Sequence, residues 1–443
     1  MLLSPEGLNK VKPKVLVATT FRWYPTARLA MALAAAGFTV DMVCPRRHPL
    51  TKTRVARRIY RFNGLAPLRS LRRAIADGEP DLIVSGDDLT TRHLHRLYER
   101  ERRDGKAESG ICALIERSLG AVESFPISYA RAAFMELAGQ EGIRIPKTGV
   151  IGNFDELKDW IIRNGFPALL KANGTSGGDG VRVVRTVEEA ERAFRLLQAP
   201  QRFLRAAKHA LLDDDLTLIL PAIRREKFVV NGQAFVDGRE ATSAVACWKG
   251  KVLAALHFEV IKKTSSTGHA TVVRTIENPE MSAATEKIVR RLHLSGVHGF
   301  DFMLEKQTGN AYLIEINPRA TQVGHLALGV GRDIPAALYA AVSGEAVQPA
   351  PKVTEKDTIA LFPQEWIRDP ESPLLRSAYH DVPWAEPELV HDCVNNRQKQ
   401  SGWYSRARRK QAFSAVASPD RVSATAESAA SQSPAVGNEL GGR

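Results

Sequence analysis

The sequence predicts an α/β protein in two units, a parallel α/β unit followed by an α+β unit. Three observations predict it: short β-branched runs alternate with helical patterns before residue 125, strand-like segments dominate from Leu216 to Val273, and a strand–turn–strand pair (GFDFMLEK, QTGN, NAYLIEINPR) closes the second unit. In order, Lys14–Ala18 (KVLVA) reads as a buried parallel strand. A helical pattern from Ala27 to Ala36 closes at Gly37. Phe38–Cys44 and Asp81–Ser85 read as further strands, with a helix and a loop expected in the basic stretch between them. Near Phe125 the second unit opens with a helix (Tyr129–Gln140) and a turn into a strand (GIRIPKTGVI). A helix (Phe154–Asn164), the segment GFPALLKANGTSGGDGVRVV and a helix (Val187–Leu197) come next. VDGRE and WKGK mark hairpin turns among the strands that follow, and helices are expected at Ser282–Leu292 and Ile334–Ser343. The division expected is 13–124, 125–345, a C-terminal appendage over 346–411, and a Ser/Ala-rich tail over 412–443 that reads as disordered.

Composition excludes several classes. With 44% hydrophobic and 25% charged residues in 443, the chain is neither fibrous nor wholly disordered. Four scattered cysteines without a CxxC pair argue against a disulfide framework and for a reducing compartment. MLLSPEGLNKVKPK lacks a signal-peptide core and no window suits a membrane span, so a cytoplasmic location without membrane partners is expected. The net charge of +13 invites a polyanion partner, but it is local. Arg46–Arg73 holds ten basic residues and no acid, and Arg406, Arg408, Arg409 and Lys410 add four, which together exceed the whole net charge. Few aromatics interleave with them, so a nucleic-acid partner is disfavoured.

Two segments carry chemistry. Lys171 ends a strand and runs into Asn173–Val181 (NGTSGGDGV), whose glycines let backbone N–H groups crowd round phosphate oxygens. A strand follows where a Rossmann or P-loop fold would place a helix, so this reads as a hairpin lid; an ordinary turn is the plain alternative. In LIEINPR, Glu315 and Asn317 are two apart on a strand and share a side, and pairing across QTGN brings Asp301 near them. Two carboxylates and an amide oxygen in an apolar strand suit one or two Mg²⁺ ions better than a strand pair with solvated charges. A third segment, Gln233–Glu240 (QAFVDGRE), is by itself an ordinary hairpin, though it could offer backbone groups to a purine and a carboxylate to a ribose.

In this order, over roughly Lys14 to Glu345, these segments resemble the ATP-grasp superfamily, and GFDFMLEKQTGNAYLIEINPRATQVGHL looks like the metal-binding strands of its carbamoyl-phosphate synthetase and biotin carboxylase branch. The resemblance implies a pre-ATP-grasp domain ahead of two subdomains with ATP between them. It implies phosphate contacts from Arg131, Lys171 and the loop residues Gly174, Thr175, Ser176, Gly177, Gly178 and Gly180. It also implies an adenine and ribose site from Gln233, Ala234, Phe235, Val236 and Glu240, metal ligands Asp301, Glu315 and Asn317, and Arg319 facing the transferred phosphoryl group. The cofactors would be ATP and Mg²⁺, with Mn²⁺ as a substitute. The implied activity is ligation of a small-molecule carboxylate, as an acyl phosphate, to an amine or similar nucleophile, with room for a homo-oligomer. A carboxylase or carbamoyl-phosphate-like enzyme and a nucleotide-binding regulator stay as alternatives. Ala234 stands where many members have glutamate, the segment Phe203–Val230 is longer than usual, and Gly324 replaces a glutamate of the carboxylases. His325 reads as a helix-end hydrogen bonder, Asp87-Asp88 as a cap pair, and Arg92–Arg103 as a solvated helix face.

Overall fold

A computed structural model describes residues 12–173, 180–198, 228–265, 267–346 and 350–400. Among them the strands form three sheets. The first is parallel, in the order β3-β2-β1-β4, from β1 (Lys14–Ala18), β2 (Thr39–Cys44), β3 (Ala56–Arg61) and β4 (Leu82–Ser85). Helix α1 (Tyr24–Ala35) starts three residues before the expected point, with Pro25 in its first turn, where a fixed φ suits it. β3 corrects the expectation of only a helix and a loop in the basic stretch. ARRIYR shows no apolar alternation because it is an edge strand, and its arginines keep that edge from pairing with another chain. α2 (Pro67–Gly78), α3 (Asp88–Arg103) and α4 (Gly110–Leu119) complete the unit. Several basic-stretch charges are matched: Arg57 holds Asp41 at 2.5 Å, Arg72 lies 3.2 Å from Glu101, and Arg54 lies 3.5 Å from Glu386.

The second unit holds an antiparallel sheet and a larger sheet that is antiparallel except for the last pair of strands in its order. After α5 (Arg131–Gln140), the smaller has the order β5-β8-β6-β7, from β5 (Thr148–Ile151), β6 (Ala168–Ala172), β7 (Val181–Val184) and β8 (Val230–Ala234). α6 (Phe154–Asn164) and α7 (Val187–Gln198) bury Leu157, Trp160 and Phe194 against it. The larger sheet runs β13-β12-β9-β10-β11-β14-β15, from β9 (Gly238–Trp248), β10 (Lys251–Lys263), β11 (Ala270–Thr275), β12 (Gly296–Glu305), β13 (Ala311–Asn317), β14 (Thr358–Ala360) and β15 (Tyr379–His380). WKGK is a two-residue hairpin turn as expected, with positive φ at Lys249 and Gly250.

VDGRE is not a hairpin. It carries the chain from β8 in one sheet to β9 in the other, and Gly238 opens β9 instead of closing a turn. A Cβ on Gly238 would lie 2.1 Å from the Leu304 carbonyl oxygen, so close backbone approach excludes any side chain there. α8 (Pro279–Arg291) and α5 cover one face of the large sheet through Phe134, Ile288, Phe300 and Leu313. α9 (Ile334–Ser343) covers the other face and meets α1, so one core runs from Val15 and Leu33 to Phe258 and Leu338. The remaining helices are α10 (Gln364–Arg368), α11 (Leu374–Ser377) and α12 (Pro387–Gln400), and residues from 358 onward extend the large sheet. The expected loose tail lies outside the described residues. Among the described residues no helix is long and apolar enough to cross a membrane.

Candidate active site

A cleft of about 490 Å³ opens between the two sheets of the second unit and the carboxyl ends of β1 and β4. Arg131, Lys171, Gln233, Ala234, Phe235, Val236, Glu240, Asp301, Glu315, Asn317 and Arg319 all line it. Residues 188 positions apart in the chain, Arg131 and Arg319, thus meet in one cavity. Gly180 does not line it; its carbonyl accepts from Ala172 N at 2.9 Å, where β6 and β7 pair as a hairpin. Gly174, Thr175, Ser176, Gly177 and Gly178 lie outside the described residues.

The acidic patch depends on a bulge. Asp301 pairs with Glu315 and Phe302 with Leu313, so Ile314 is one extra residue in β13. Before the bulge Ala311 and Leu313 face the core; after it Ile316 does. Strict alternation would have put Glu315 on the core face with Leu313. The bulge swings Glu315 and Asn317 to the cleft face, where Asp301 lies opposite Phe300 and Phe302 of the core. Gly299, which pairs with Asn317, leaves room for the chain behind: a Cβ there would lie 2.2 Å from Thr321 Cγ2.

Asp301, Glu315, Asn317 and Arg319 on this wall are each tied to another side chain. Thr242 Oγ1 donates to Asp301 Oδ1 (2.8 Å) and Asn317 Nδ2 to Asp301 Oδ2 (2.9 Å). Arg131 Nη2 donates to Glu315 Oε1 at 2.9 Å. Arg319 Nη2 donates to Asn317 Oδ1 (3.1 Å), its Nε to Asp88 Oδ2 (3.0 Å), and its guanidinium lies 5.5 Å from the Trp23 ring centre. Burial and the neighbouring Glu315 push the Asp301 carboxyl up to about 6. Burial pushes Glu315 the same way, but Arg131, Lys171 and Arg319 outweigh it and hold that carboxyl below the usual range. Two carboxylates are thus held face to face at an electrostatic cost that a cation would relieve. Among the described residues no set of three His, Cys, Asp or Glu side chains is placed to hold a metal. Two carboxylates with an amide oxygen still fit Mg²⁺, a hard ion that keeps water or phosphate oxygens among its ligands.

The opposite wall is less complete. Lys171 is 4% exposed, and burial, with Arg131 nearby, lowers its ammonium to about 8. Gln233 is fully buried; its Nε2 donates to Thr148 Oγ1 (3.1 Å), while its Oε1 has no partner. Lys263 Nζ donates to Glu240 Oε1 at 2.5 Å.

Sequence reasoning missed Trp23, Asp88, Arg92, Tyr129 and Thr242, all on the cleft. Of the expected cap pair only Asp87 caps α3, accepting from Thr90 N, Thr19, Thr20 and Thr90 Oγ1; Asp88 turns to Arg319. The expected solvated face on α3 is half wrong, since His93, His95 and Glu101 are buried. The departure from alternation is that α3 packs on both the sheet and α4. His325, a hydrogen bonder as expected, lies with its Nε2 2.6 Å from Asp381 Oδ2. The four cysteines are free and buried.

Comparison with known proteins agrees with this architecture. Residues 215–323 match the family model of an ATP-grasp domain. The carbamoyl phosphate synthase large chain of Caldanaerobacter subterraneus subsp. tengcongensis is 26% identical over 207 residues, 45% of this chain and 17% of that one. The chain therefore spans well under two thirds of that relative. The biotin carboxylase domain of Hydrogenobacter thermophilus 2-oxoglutarate carboxylase has a TM-score of 0.53 at 16% identity, covering 76% of this chain and 71% of that one. N5-carboxyaminoimidazole synthetase from Staphylococcus aureus also gives 0.53, at 13% identity, with 77% and 81% covered. Over residues 215–323 the chain matches an ATP-grasp domain, and it is similar to carbamoyl phosphate synthase in sequence and to biotin carboxylase in fold.

Proposed function

We propose that this chain is an ATP-dependent ligase that activates a small-molecule carboxylate as an acyl phosphate for capture by an amine or similar nucleophile, working in the cytoplasm. The single observation that carries this is the convergence on one cleft of Lys171, the crossing segment Ala234–Val236, Glu240 and the interlocked Asp301–Glu315–Asn317–Arg319 patch. We assign residues 13–124 to the first domain, 125–345 to the ATP-grasp domain and 346–411 to an appendage.

In this reading Ala234, Phe235 and Val236 offer the backbone and an apolar face to adenine, beside Gln233. Glu240 accepts from ribose hydroxyls. Lys171 and Arg131 neutralise phosphate oxygens, and the glycine-rich segment Gly174–Gly180 is assigned to the same phosphates. Asp301, Glu315 and Asn317 would hold Mg²⁺, which when bound supplies charge neutralisation at the phosphate oxygens. Arg319, held in place by Asp88 and Asn317, faces the phosphoryl group in transfer, and a guanidinium fixed in advance costs little reorganisation there.

The test is phosphate release from ATP against a panel of acids and amines, with hydroxylamine added to trap acyl phosphates as hydroxamates. Turnover that needs an acid, and hydroxamate that scales with it, are expected. Nucleotide binding without turnover on any acid would replace this reading with the regulatory one, and turnover with bicarbonate alone would replace it with the carboxylase one.

A further inference from the structure

Among the described residues two cations of the cleft, Lys171 and Arg92, have no acid in ion-pair distance, and only Lys171 belongs to the proposed phosphate site. Arg131 holds Glu315, Arg319 holds Asp88, and Glu240 has Lys263. Arg92, on α3, also lines the cleft, yet among the described residues no carboxylate lies within ion-pair distance of it. Its natural partner would be Asp88, one helical turn earlier, but that carboxylate is drawn away to Arg319. The Arg92 guanidinium lies instead over the Tyr129 ring, 5.1 Å from its centre. Such stacking fixes the plane of the fork while leaving its N–H edges open.

Tyr129 supplies a second, independent sign. Tyr129 lines the same cleft, and its hydroxyl is buried without a hydrogen-bond partner. A buried hydroxyl left unpaired is costly, so a ligand that accepts from it gains affinity. Burial drives this phenol further from ionisation, so it remains a donor. A planar cation and an orphan donor, side by side and one helical turn from the Asp88–Arg319 pair, match an anion with several acceptor oxygens. The placement is stable because Asp87, buried and tied to three threonines, fixes the first turn of α3 at the end of β4.

We propose that Arg92 and Tyr129 bind a second anionic group on a substrate, a carboxylate or phosphate that the reaction does not activate. This rests on the ligase reading and deepens it: the substrate class becomes an acid with two acidic groups, or an amine that carries one. The shared chemistry is an oxyanion beside the reacting centre, and Arg92 is a specificity-determining residue.

The experiment pairs substrates that differ in that one group. On the acid side glutarate is set against pentanoate; on the amine side alanine is set against ethylamine. Hydroxamate formation reads the first pair and ADP release the second. The charged member of one pair is expected to have a KM at least 10-fold lower, and R92A to erase that difference with kcat changed less than 3-fold and the KM for ATP unchanged. R92K keeps the charge but not the fork and should recover only part, and Y129F should show a smaller loss of the same kind. Equal use of charged and neutral members, or a loss in R92A confined to kcat, overturns the proposal.

A binding measurement separates this from failure of the ligase reading. Glutarate and inorganic phosphate, each titrated calorimetrically into the ADP- and Mg²⁺-loaded protein, are expected to bind at least 10-fold more weakly to R92A. Arg92-dependent binding without turnover on any acid removes the ligase reading and keeps the anion site. Absence of binding to the wild type, or binding unaffected by R92A, removes the anion site.

Discussion

The two walls of the cleft handle their polar groups in opposite ways. On the large sheet, Asp301, Glu315, Asn317 and Arg319 are each bonded to Thr242, Arg131, Asp88 or one another before any ligand arrives. On the small sheet, Lys171 is buried with no carboxylate in ion-pair distance among the described residues, and the acceptor oxygen of Gln233 is buried without a partner. The first wall is preorganised: its geometry is already set when phosphate charge has to be stabilised. The second wall carries a standing cost that a ligand can repay. Removing a group from the first wall should therefore harm both fold and function, whereas removing one from the second should separate them.

The largest effect expected is that of Glu315→Ala. It deletes one side of the facing carboxylates and leaves Arg131, whose Nε and Nη1 already lack partners, as a buried unpaired charge. Breaking a buried pair in this way costs about 3–5 kcal/mol, and relief of repulsion on Asp301 places the outcome at the lower end. ATP turnover should fall at least about 100-fold, the scale for losing one preorganised charge-stabilising group. Phosphate release and thermal unfolding on the same preparation check both. Turnover lost with the melting temperature intact would mean that the first wall is not interlocked.

Lys171→Met should split the two properties. Nucleotide affinity should fall about 10–100-fold, the loss of one or two charge-assisted hydrogen bonds. The unliganded protein should become more stable, because lowering the ammonium from 10.5 to about 8 corresponds to a burial penalty of about 3 kcal/mol. The sign in pH follows. Below about 8 the lysine is protonated in both folded and unfolded chains, and the folded state bears the full penalty. Between about 8 and 10.5 the unfolded chain binds the extra proton, so wild-type stability from this group rises with pH. Denaturant unfolding of the nucleotide-free protein across that window should show the rise in wild type and not in the variant. A variant that loses stability at pH 7 would show that the ammonium has a partner in solution.

The contrast between the walls was unevenly legible in the sequence. Glu315 and Asn317 could be read as sharing a side because strand geometry demands it, and Lys171 as ending a strand before a glycine loop. What no spacing rule reveals is the bulge at Ile314, which decides that their side is the cleft and not the core. Gly238 was open to misreading for a related reason: a glycine after aspartate looks like a turn, and only the packed Leu304 carbonyl shows that it stands in a strand. β3 was hidden because an edge strand guarded by arginines has no apolar rhythm. Arg92 and Tyr129 were hidden because their meaning lies in a partner that Asp88 gave to Arg319 instead, a competition that exists only in three dimensions.

The smallest effect belongs to Glu240, which stands where the chain has just crossed from one wall to the other. Its carboxylate pairs with Lys263, but both side chains are partly exposed, 40% and 22%, so the pair adds at most about 1 kcal/mol to stability. Glu240→Ala should therefore leave the melting temperature almost unchanged. If the carboxylate accepts from a ribose hydroxyl, the KM for ATP should rise about 3–10-fold, the value of one such hydrogen bond, at constant kcat. The sharper readout is 2′-deoxy-ATP together with 3′-deoxy-ATP. Wild type should prefer ATP over at least one of them, and the variant should use it and ATP alike. A variant that keeps both preferences would take the ribose away from Glu240 and leave its carboxylate as a partner of Lys263 alone. A fall in kcat would instead mean that the crossing segment transmits strain to Asp301 through Thr242, two residues further along β9, and the two walls would then be one mechanical unit.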